Sequence, residues 1–339
     1  MSFPSHSADK APPIPGPGEV LTLEQVAAAD FSGVTPLGVL GYPIKHSVSP
    51  QMHNAALAEL AKTDPKFASW RYYRIEVQPE RLKEALDLLA AKGFVGLNLT
   101  LPHKVLATQW VKMGDIVGSV SGAVNTLRRA GDGWVGTNTD GIGFMYALRQ
   151  EPVRETITDA EVVLLGAGGA ARALAAICLT QGCRHLWIGN RSEGRLSELV
   201  GKLRPLNHAG IISGFDLKDA AHAVLPKIAL VINATSLGLS PEDPSPIDLS
   251  IFSTGTKVFD TTYGTQDSAF IKQAKALRFP VANGLMMLVF QGYGSLDDWL
   301  EHSDVTYSID IRAMVQAAFT AKSMPVPQSI IVPVDREEK

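Results

Sequence analysis

Four short stretches in the first half of the chain carry more small polar side chains than a core or a surface needs. They are Gly41-Tyr42-Pro43-Ile44-Lys45-His46-Ser47-Val48-Ser49-Pro50, Asn98-Leu99-Thr100-Leu101-Pro102-His103-Lys104, Gly122-Ala123-Val124-Asn125-Thr126 and Asn138-Thr139-Asp140-Gly141. Pooled, they offer hydroxyls, amides, amines and one carboxylate, a set that suits a small polyhydroxy acid. Three of them fall at predicted strand-to-helix turns, where open α/β sheets bind ligands. Each residue also has an ordinary role open to it. Lys104 could be a solvated lysine. Asp140 could cap the helix that follows it, as Ser47 and Ser49 could cap the helix after Pro50. Gln291 is harder to dismiss, because it sits inside an apolar helical pattern where an unpaired amide is costly.

A second chemistry is written at residues 162–172. Val162-Val163-Leu164-Leu165 runs into Gly166-Ala167-Gly168-Gly169-Ala170-Ala171-Arg172, a GxGxxA pattern between a predicted strand and a predicted helix. The first glycine allows a tight turn, the second a close approach to a pyrophosphate, and the small third position close helix–sheet packing. The helix N-terminus adds N–H donors and partial positive charge. NAD sites usually place an acid at the tip of the next strand for the ribose 2′-hydroxyl. Here that strand ends in Asn190-Arg191-Ser192-Glu193-Gly194-Arg195, with no acid at the tip. Arg191 and Arg195 are spaced to share one helix face, and guanidinium groups suit a 2′-phosphate. The cofactor expected is therefore NADP, with Glu193 as a complication should it point inward.

The elements that must hold these residues alternate between strand and helix. A short helix is expected at 22–30 with Thr22 as N-cap, then a strand at 37–40, a helix at 50–61, a strand at 71–77, a helix at 79–91, a strand at 95–99 and a helix from about 102. That rhythm predicts a parallel sheet with helical crossovers. Residues 122–137 break it with a hairpin turned at Gly131-Asp132-Gly133. A helix at 141–149 precedes the polar stretch 150–160, and a second series of strands follows at 161, 185–189, 229–233, 257–260 and 280–282. Helices at 284–301 and 306–321 close the chain. The expected organisation is a disordered tail at 1–18, an α/β domain at 19–140 completed by helices from 284–321, and a Rossmann-like domain at 141–283, with the active site in the cleft between them.

Composition narrows the class. The chain has 339 residues, 45% of them hydrophobic and 19% charged, enough apolar material for two α/β cores. A formal net charge of -3 without any basic run speaks against nucleic acid as a partner. No stretch approaches a membrane span and the N-terminus lacks a signal-peptide pattern, so a cytoplasmic protein is expected. The two cysteines, Cys178 and Cys183, give neither a disulfide framework nor a metal site. A small molecule is the expected partner; whether the chain forms a homodimer is left open.

In these motifs the sequence resembles the shikimate dehydrogenase family. GxPxxHSxSPxxHN is complete at Gly41–Asn54, NxTxPxK at Asn98–Lys104, GAVNT at Gly122–Thr126 and NTDG at Asn138–Gly141. GAGGAA follows at 166–171, an NADP-clamp-like stretch at 190–195, NATSxG at 233–238 and NGLxMLxxQG at 283–292, all in family order. The resemblance implies NADPH-dependent reduction of the C3 ketone of 3-dehydroshikimate, a step of chorismate and aromatic amino-acid biosynthesis. It implies that Ser47, Ser49 and Tyr263 hold the substrate carboxylate. Thr100, Asn125, Asp140 and Gln291 would hold ring hydroxyls, Asn98 would brace the loop beside them, and Lys104 with Asp140 would form the catalytic pair. Gly166, Ala167, Gly168, Gly169 and Ala170 would carry the pyrophosphate. Asn190, Arg191 and Arg195 would hold the 2′-phosphate, and Thr235, Ser236 and Gly284 would line the nicotinamide.

Leu99 and His103 stand where the family often has Val and Phe, positions that flank the chemistry. Three other readings stay in view. A quinate or dual quinate/shikimate dehydrogenase is the nearest, a non-catalytic sensor of the same fold the next, and a folate-type or amino-acid dehydrogenase the third.

Overall fold

A computed structural model describes residue 16 and residues 18–207, 211–222, 227–302 and 307–332. Most of the expected N-terminal tail, and the chain after Val332, lie outside the described residues. In chain order the first unit runs β1 (Val20–Leu21), α1 (Leu23–Ala28), β2 (Thr35–Gly41), α2 (Ser49–Thr63), β3 (Trp70–Glu76), α3 (Leu82–Ala91), β4 (Gly96–Leu99), α4 (His103–Leu106), β5 (Lys112–Met113), α5 (Ile116–Ser121), β6 (Thr126–Ala130) and β7 (Gly133–Thr137). Helix α6 (Asp140–Leu148) leads to the second unit: β8 (Glu161–Leu165), α7 (Gly169–Thr180), β9 (His185–Asn190), α8 (Glu193–Leu203), β10 (Ile212–Asp216), β11 (Leu230–Asn233), β12 (Lys257–Asp260), α9 (Ala269–Ala276) and β13 (Val281–Asn283). Two long helices, α10 (Leu285–Glu301) and α11 (Ile311–Ala321), return to the first unit.

Each unit owns one sheet. In the first, β1, β3, β2 and β4 are parallel neighbours, and the β6–β7 hairpin joins the edge of β4 antiparallel, with β5 outermost. Ala130 pairs with Gly133 across a two-residue turn in which Gly131 takes φ 54°, the left-handed geometry such hairpins need. In the second unit all strands are parallel in the order β10-β9-β8-β11-β12-β13. That is the doubly wound dinucleotide-binding order, with its reversal between β8 and β11. The central strands β8 and β11 are buried on both faces and read as apolar runs.

Several expectations need adjusting. The sheet includes β10, which the sequence pattern does not predict. Helix α11 begins at Ile311 rather than 306, because the Asp310 carboxylate accepts from the N–H groups of Arg312 and Ala313 and starts the helix there. The chain after α11 is tied back to the residues that follow α6: Ile331 N donates to the Gln150 side chain, whose amide donates back to Ile331 O, both at 2.9 Å.

Helix α6 is the keystone for the site. It packs against α10 on one side and α7 on the other. Gly143 permits the first contact: a Cβ there would lie 2.7 Å from the backbone nitrogen of Gln291 and 2.8 Å from Met287 O. The close crossing brings Gln291 level with the first turn of α6.

Candidate active site

The polar residues of the four motifs converge. Lys104, on α4, donates from Nζ to Asp140 Oδ2 at 2.6 Å, with side chains only 16% and 4% exposed. Asp140 is the first residue of α6, yet its carboxylate caps nothing. Its second oxygen accepts from Asn125 Nδ2 at 3.0 Å. The same amide group lies 2.9 Å from both Thr139 Oγ1 and Gln291 Oε1, so its two hydrogens are shared among three acceptors. Gln291 completes its own bonding through Nε2 to Leu288 O at 2.8 Å. The buried amide that looks costly in the sequence is thus paired on both sides.

Behind this cluster lies a brace. Asn98 accepts from the Tyr72 hydroxyl at 2.7 Å and donates to Asn125 O and Ser295 Oγ at 3.0 and 2.8 Å. Its amide is fully engaged with protein groups. Asn138 receives the N–H of Asp140 and donates to Ala123 O, which locks the NTDG turn to the GAVNT turn. Asp115 holds Asn138 N and caps α5 through Gly118 N; burial raises the pKa of its carboxyl against those two bonds.

The serine pair stands at the other end. Helix α2 starts at Ser49, and its N-cap residue Val48 makes no side-chain capping bond. Ser47 Oγ accepts the N–H of Ser49 at 3.3 Å and keeps its own hydrogen to give. Ser49 is buried against the Tyr72 phenol. Thr100 follows β4, its backbone N–H bonded to Leu40 O at 2.9 Å. Tyr263 extends from the loop after β12, and burial pushes its phenol up to about 12, so it remains a donor through the neutral range.

On the second unit, Gly166 follows β8 at φ 116°, and a Cβ there would sit 2.7 Å from Ala234 O of the loop after β11. The turn therefore closes the crevice at the strand-order reversal. Gly168 is exposed, has no neighbour that a Cβ would meet within 4 Å, and precedes α7 without a side-chain cap. Open N–H groups at a helix N-terminus fit a pyrophosphate. Ala167 is buried and Ala170 half-buried along the same turn. Gly169 links the two units, since a Cβ there would lie 3.1 Å from Lys104 Cβ. Thr235 is held to Asn233 through both its N–H and its hydroxyl, while Ser236 is exposed beside it. Gly284 lies where a Cβ would meet Thr261 O at 2.1 Å, and its N–H donates to Thr262 O.

One expectation about the second unit fails. Arg191 and Arg195 do not share a helix face, because Ser192 is the N-cap of α8 and leaves Arg191 outside the helix. Both arginines and Glu193 are exposed, and Asn190 Nδ2 is turned back onto Ser192 O at 2.9 Å.

Comparison with known proteins decides the family. A family model described as the shikimate dehydrogenase substrate binding domain matches residues 39–127. A shikimate dehydrogenase (NADP(+)) of Nostoc sp. is 33% identical over 286 residues, 83% of this chain and 96% of that protein. The chain belongs to the shikimate dehydrogenase family. Among solved structures, the Thermus thermophilus enzyme in complex with NADP(H) and shikimate superposes with TM-score 0.71 at 29% identity, covering 85% of this chain and all (100%) of that one. A ligand-free 5-ketofructose reductase of Gluconobacter sp. strain CHM43 matches with TM-score 0.67 and 28% identity over 85% of this chain and 98% of that one.

Sequence reasoning passes over several neighbours of this shikimate dehydrogenase family site. Ser295 bonds Asn98 and lies 2.7 Å from Thr126 Oγ1. Its signal is available: a polar residue four after Gln291, on the same face of the helix. Asp260 is buried at the end of β12, where Asn233, Thr262 and Ser268 donate to it while burial raises its pKa. No helix among the described residues is long and apolar enough to cross a membrane.

Proposed function

We propose that this chain catalyses the reversible, NADPH-dependent reduction of the C3 ketone of 3-dehydroshikimate to shikimate, in the biosynthesis of chorismate and the aromatic amino acids. The observation that carries the proposal is the meeting of Lys104, Asp140 and Gly169. The amine of the substrate pocket stands at the foot of the cofactor helix, paired at 2.6 Å with a buried carboxylate.

In this reading residues 19–140 with the helices of 284–321 hold the substrate and residues 141–283 hold the cofactor. Helix α6 carries Asp140 into the substrate pocket and serves as the connector. NADPH supplies the hydride when bound, so the work of the chain is positioning and charge. The Lys104 ammonium polarises the ketone oxygen and gives it a proton as negative charge develops there. Asp140 holds the ammonium in place and, through its free lone pairs, receives the neighbouring ring hydroxyl. Asn125 and Gln291, already bonded to each other, read further hydroxyls with Thr100. Ser47, Ser49 and Tyr263 donate to the carboxylate. In the oxidising direction neutral Lys104 accepts the proton.

The groups that would hold NADP are Gly166 to Ala170 for the pyrophosphate, Asn190, Arg191 and Arg195 for the 2′-phosphate, and Thr235, Ser236 and Gly284 for the nicotinamide. Among the described residues neither arginine is ion-paired to a carboxylate, which leaves both available to an anion. The test is a crystal structure with shikimate and NADP⁺. The expected result puts the ring between Ser47 and Lys104 with its C3 oxygen on Lys104 Nζ; a carboxylate bound at Lys104 instead would overturn the role of the serine pair.

A further inference from the structure

Helix α11 packs along α2 and ends at Ala321 with Lys322 as its C-cap, so its C-terminus lies beside the segment that carries the serine pair. A lysine there has an ordinary use, since a cation is favourable near the last carbonyls of a helix. Lys322 does more. Its Nζ donates to His46 O at 3.2 Å and stands 5.3 Å from the centroid of the Tyr263 ring. Ser323, at φ 54°, and Met324 N, bonded to Phe319 O, turn the chain sharply after it and fix where the side chain leaves the helix.

A second cation backs the same loop. Arg74, on β3 and 5% exposed, donates to the carbonyl of Ser47, the next residue along, and to Gly18 O at 3.2 Å. Two consecutive carbonyls, those of His46 and Ser47, are therefore each held by a cation. Among the described residues neither Lys322 nor Arg74 forms an ion pair with a carboxylate. Two positive charges, one half-buried and one buried, beside two serines and a tyrosine suit a bound anion. The Lys322 ammonium has three N–H donors and gives one to His46, which leaves donors for a ligand. Burial and the neighbouring Arg74 charge lower its pKa, an effect that a bound carboxylate would oppose.

We infer that Lys322, backed by Arg74, is a specificity-determining residue that reads the charge of the substrate carboxylate, whereas Ser47, Ser49 and Tyr263 read its shape. The inference rests on the proposed shikimate reading of this site. It predicts that a neutral analogue is discriminated against chiefly by Lys322.

The test compares wild type, Lys322→Met, Lys322→Gln and Lys322→Arg on shikimate and on shikimate methyl ester, each with NADP⁺. Losing a charge-assisted contact should raise KM for shikimate roughly tenfold to a hundredfold in the Met and Gln variants, with kcat changed by less than about threefold. Turnover of the ester should stay unchanged, so the preference for acid over ester collapses, and Lys322→Arg should restore most of it. The Gln variant keeps a donor for His46 and decides the matter should the Met variant not fold. Equal losses on acid and ester would overturn the inference by showing a structural role, as would an unaltered KM for shikimate. A wild type that oxidises neither compound would instead overturn the functional reading, and the inference with it.

Discussion

Replacing Lys104 by Met removes one partner of a pair in which Asp140 is 4% exposed. The Asp140 carboxylate keeps Asn125 as a donor but loses its only ion-pair cation among the described residues. Breaking a buried pair from one side typically costs about 3–5 kcal/mol, most of it for the charge left behind. Lys104 is itself 16% exposed, so water can reach the place it vacates, and a cost near the bottom of that range, about 3 kcal/mol, is expected. Asp140→Asn in the same background removes the stranded charge, and the Lys104→Met/Asp140→Asn double variant should recover most of that stability. Activity should behave differently. Loss of the proton donor should lower kcat by about 10²-fold or more, with KM for shikimate little changed, and the double variant should recover none of it. Urea unfolding followed by fluorescence, together with initial rates, separates the two effects. A Lys104→Met enzyme of normal rate would remove Lys104 from the mechanism. A double variant no more stable than the single one would refute the reasoning about the buried charge.

Other expectations follow from the same geometry. His53 is fully buried, its ring nitrogens have no hydrogen-bond partner among the described residues, it stacks on Tyr72 at 4.2 Å, and burial lowers its pKa from 6.5 to about 3. The unfolded chain therefore binds the proton first as pH falls, so this group drains stability from about pH 6.5 down to about pH 3; at pH 5 the loss relative to pH 7 is about 2 kcal/mol. Urea midpoints against pH should show this slope in wild type and lose it in His53→Phe. Arg191→Ala with Arg195→Ala should raise KM for NADP⁺ by roughly tenfold to a hundredfold while leaving KM for NAD⁺ nearly unchanged; equal effects on both would remove the 2′-phosphate clamp. Gly166→Ala forces a Cβ to 2.7 Å from Ala234 O at a positive φ. It should weaken NADPH binding in a fluorescence titration and cost about 1–3 kcal/mol of stability in urea; binding and stability equal to wild type would show that the turn does not need glycine.

The parts of the fold that declare themselves in the sequence do so through burial. β8 and β11 are apolar on both faces, and α3 and α10 keep helical spacing, so their patterns are strong. β10, by contrast, is an edge strand reading Ile-Ser-Gly-Phe-Asp with one neighbour and no fully buried residue, and such a strand leaves no apolar run to find. β1 and β5 are two residues long and exist only because a neighbouring strand pairs with them. At the site, Lys104, Asp140 and Asn125 are visible because small polar residues cluster at strand ends. The Gln291–Asn125 bond is not, because it depends on how closely α10 crosses α6, and only Gly143 hints at that distance. The arginine pair misleads for a local reason: four-residue spacing implies a shared face only when both residues are inside the helix, and the Ser192 cap leaves Arg191 ahead of the first helical turn.

The most direct test of the account is an initial-rate assay on the purified protein, following the absorbance of the reduced nicotinamide, with shikimate and quinate each offered with NADP⁺ and with NAD⁺. Turnover strongest for shikimate with NADP⁺ is the predicted result. Turnover strongest for quinate with NAD⁺ would contradict the roles given to Ser47, Ser49, Arg191 and Arg195, and ligand binding without turnover in any combination would contradict the catalytic pair.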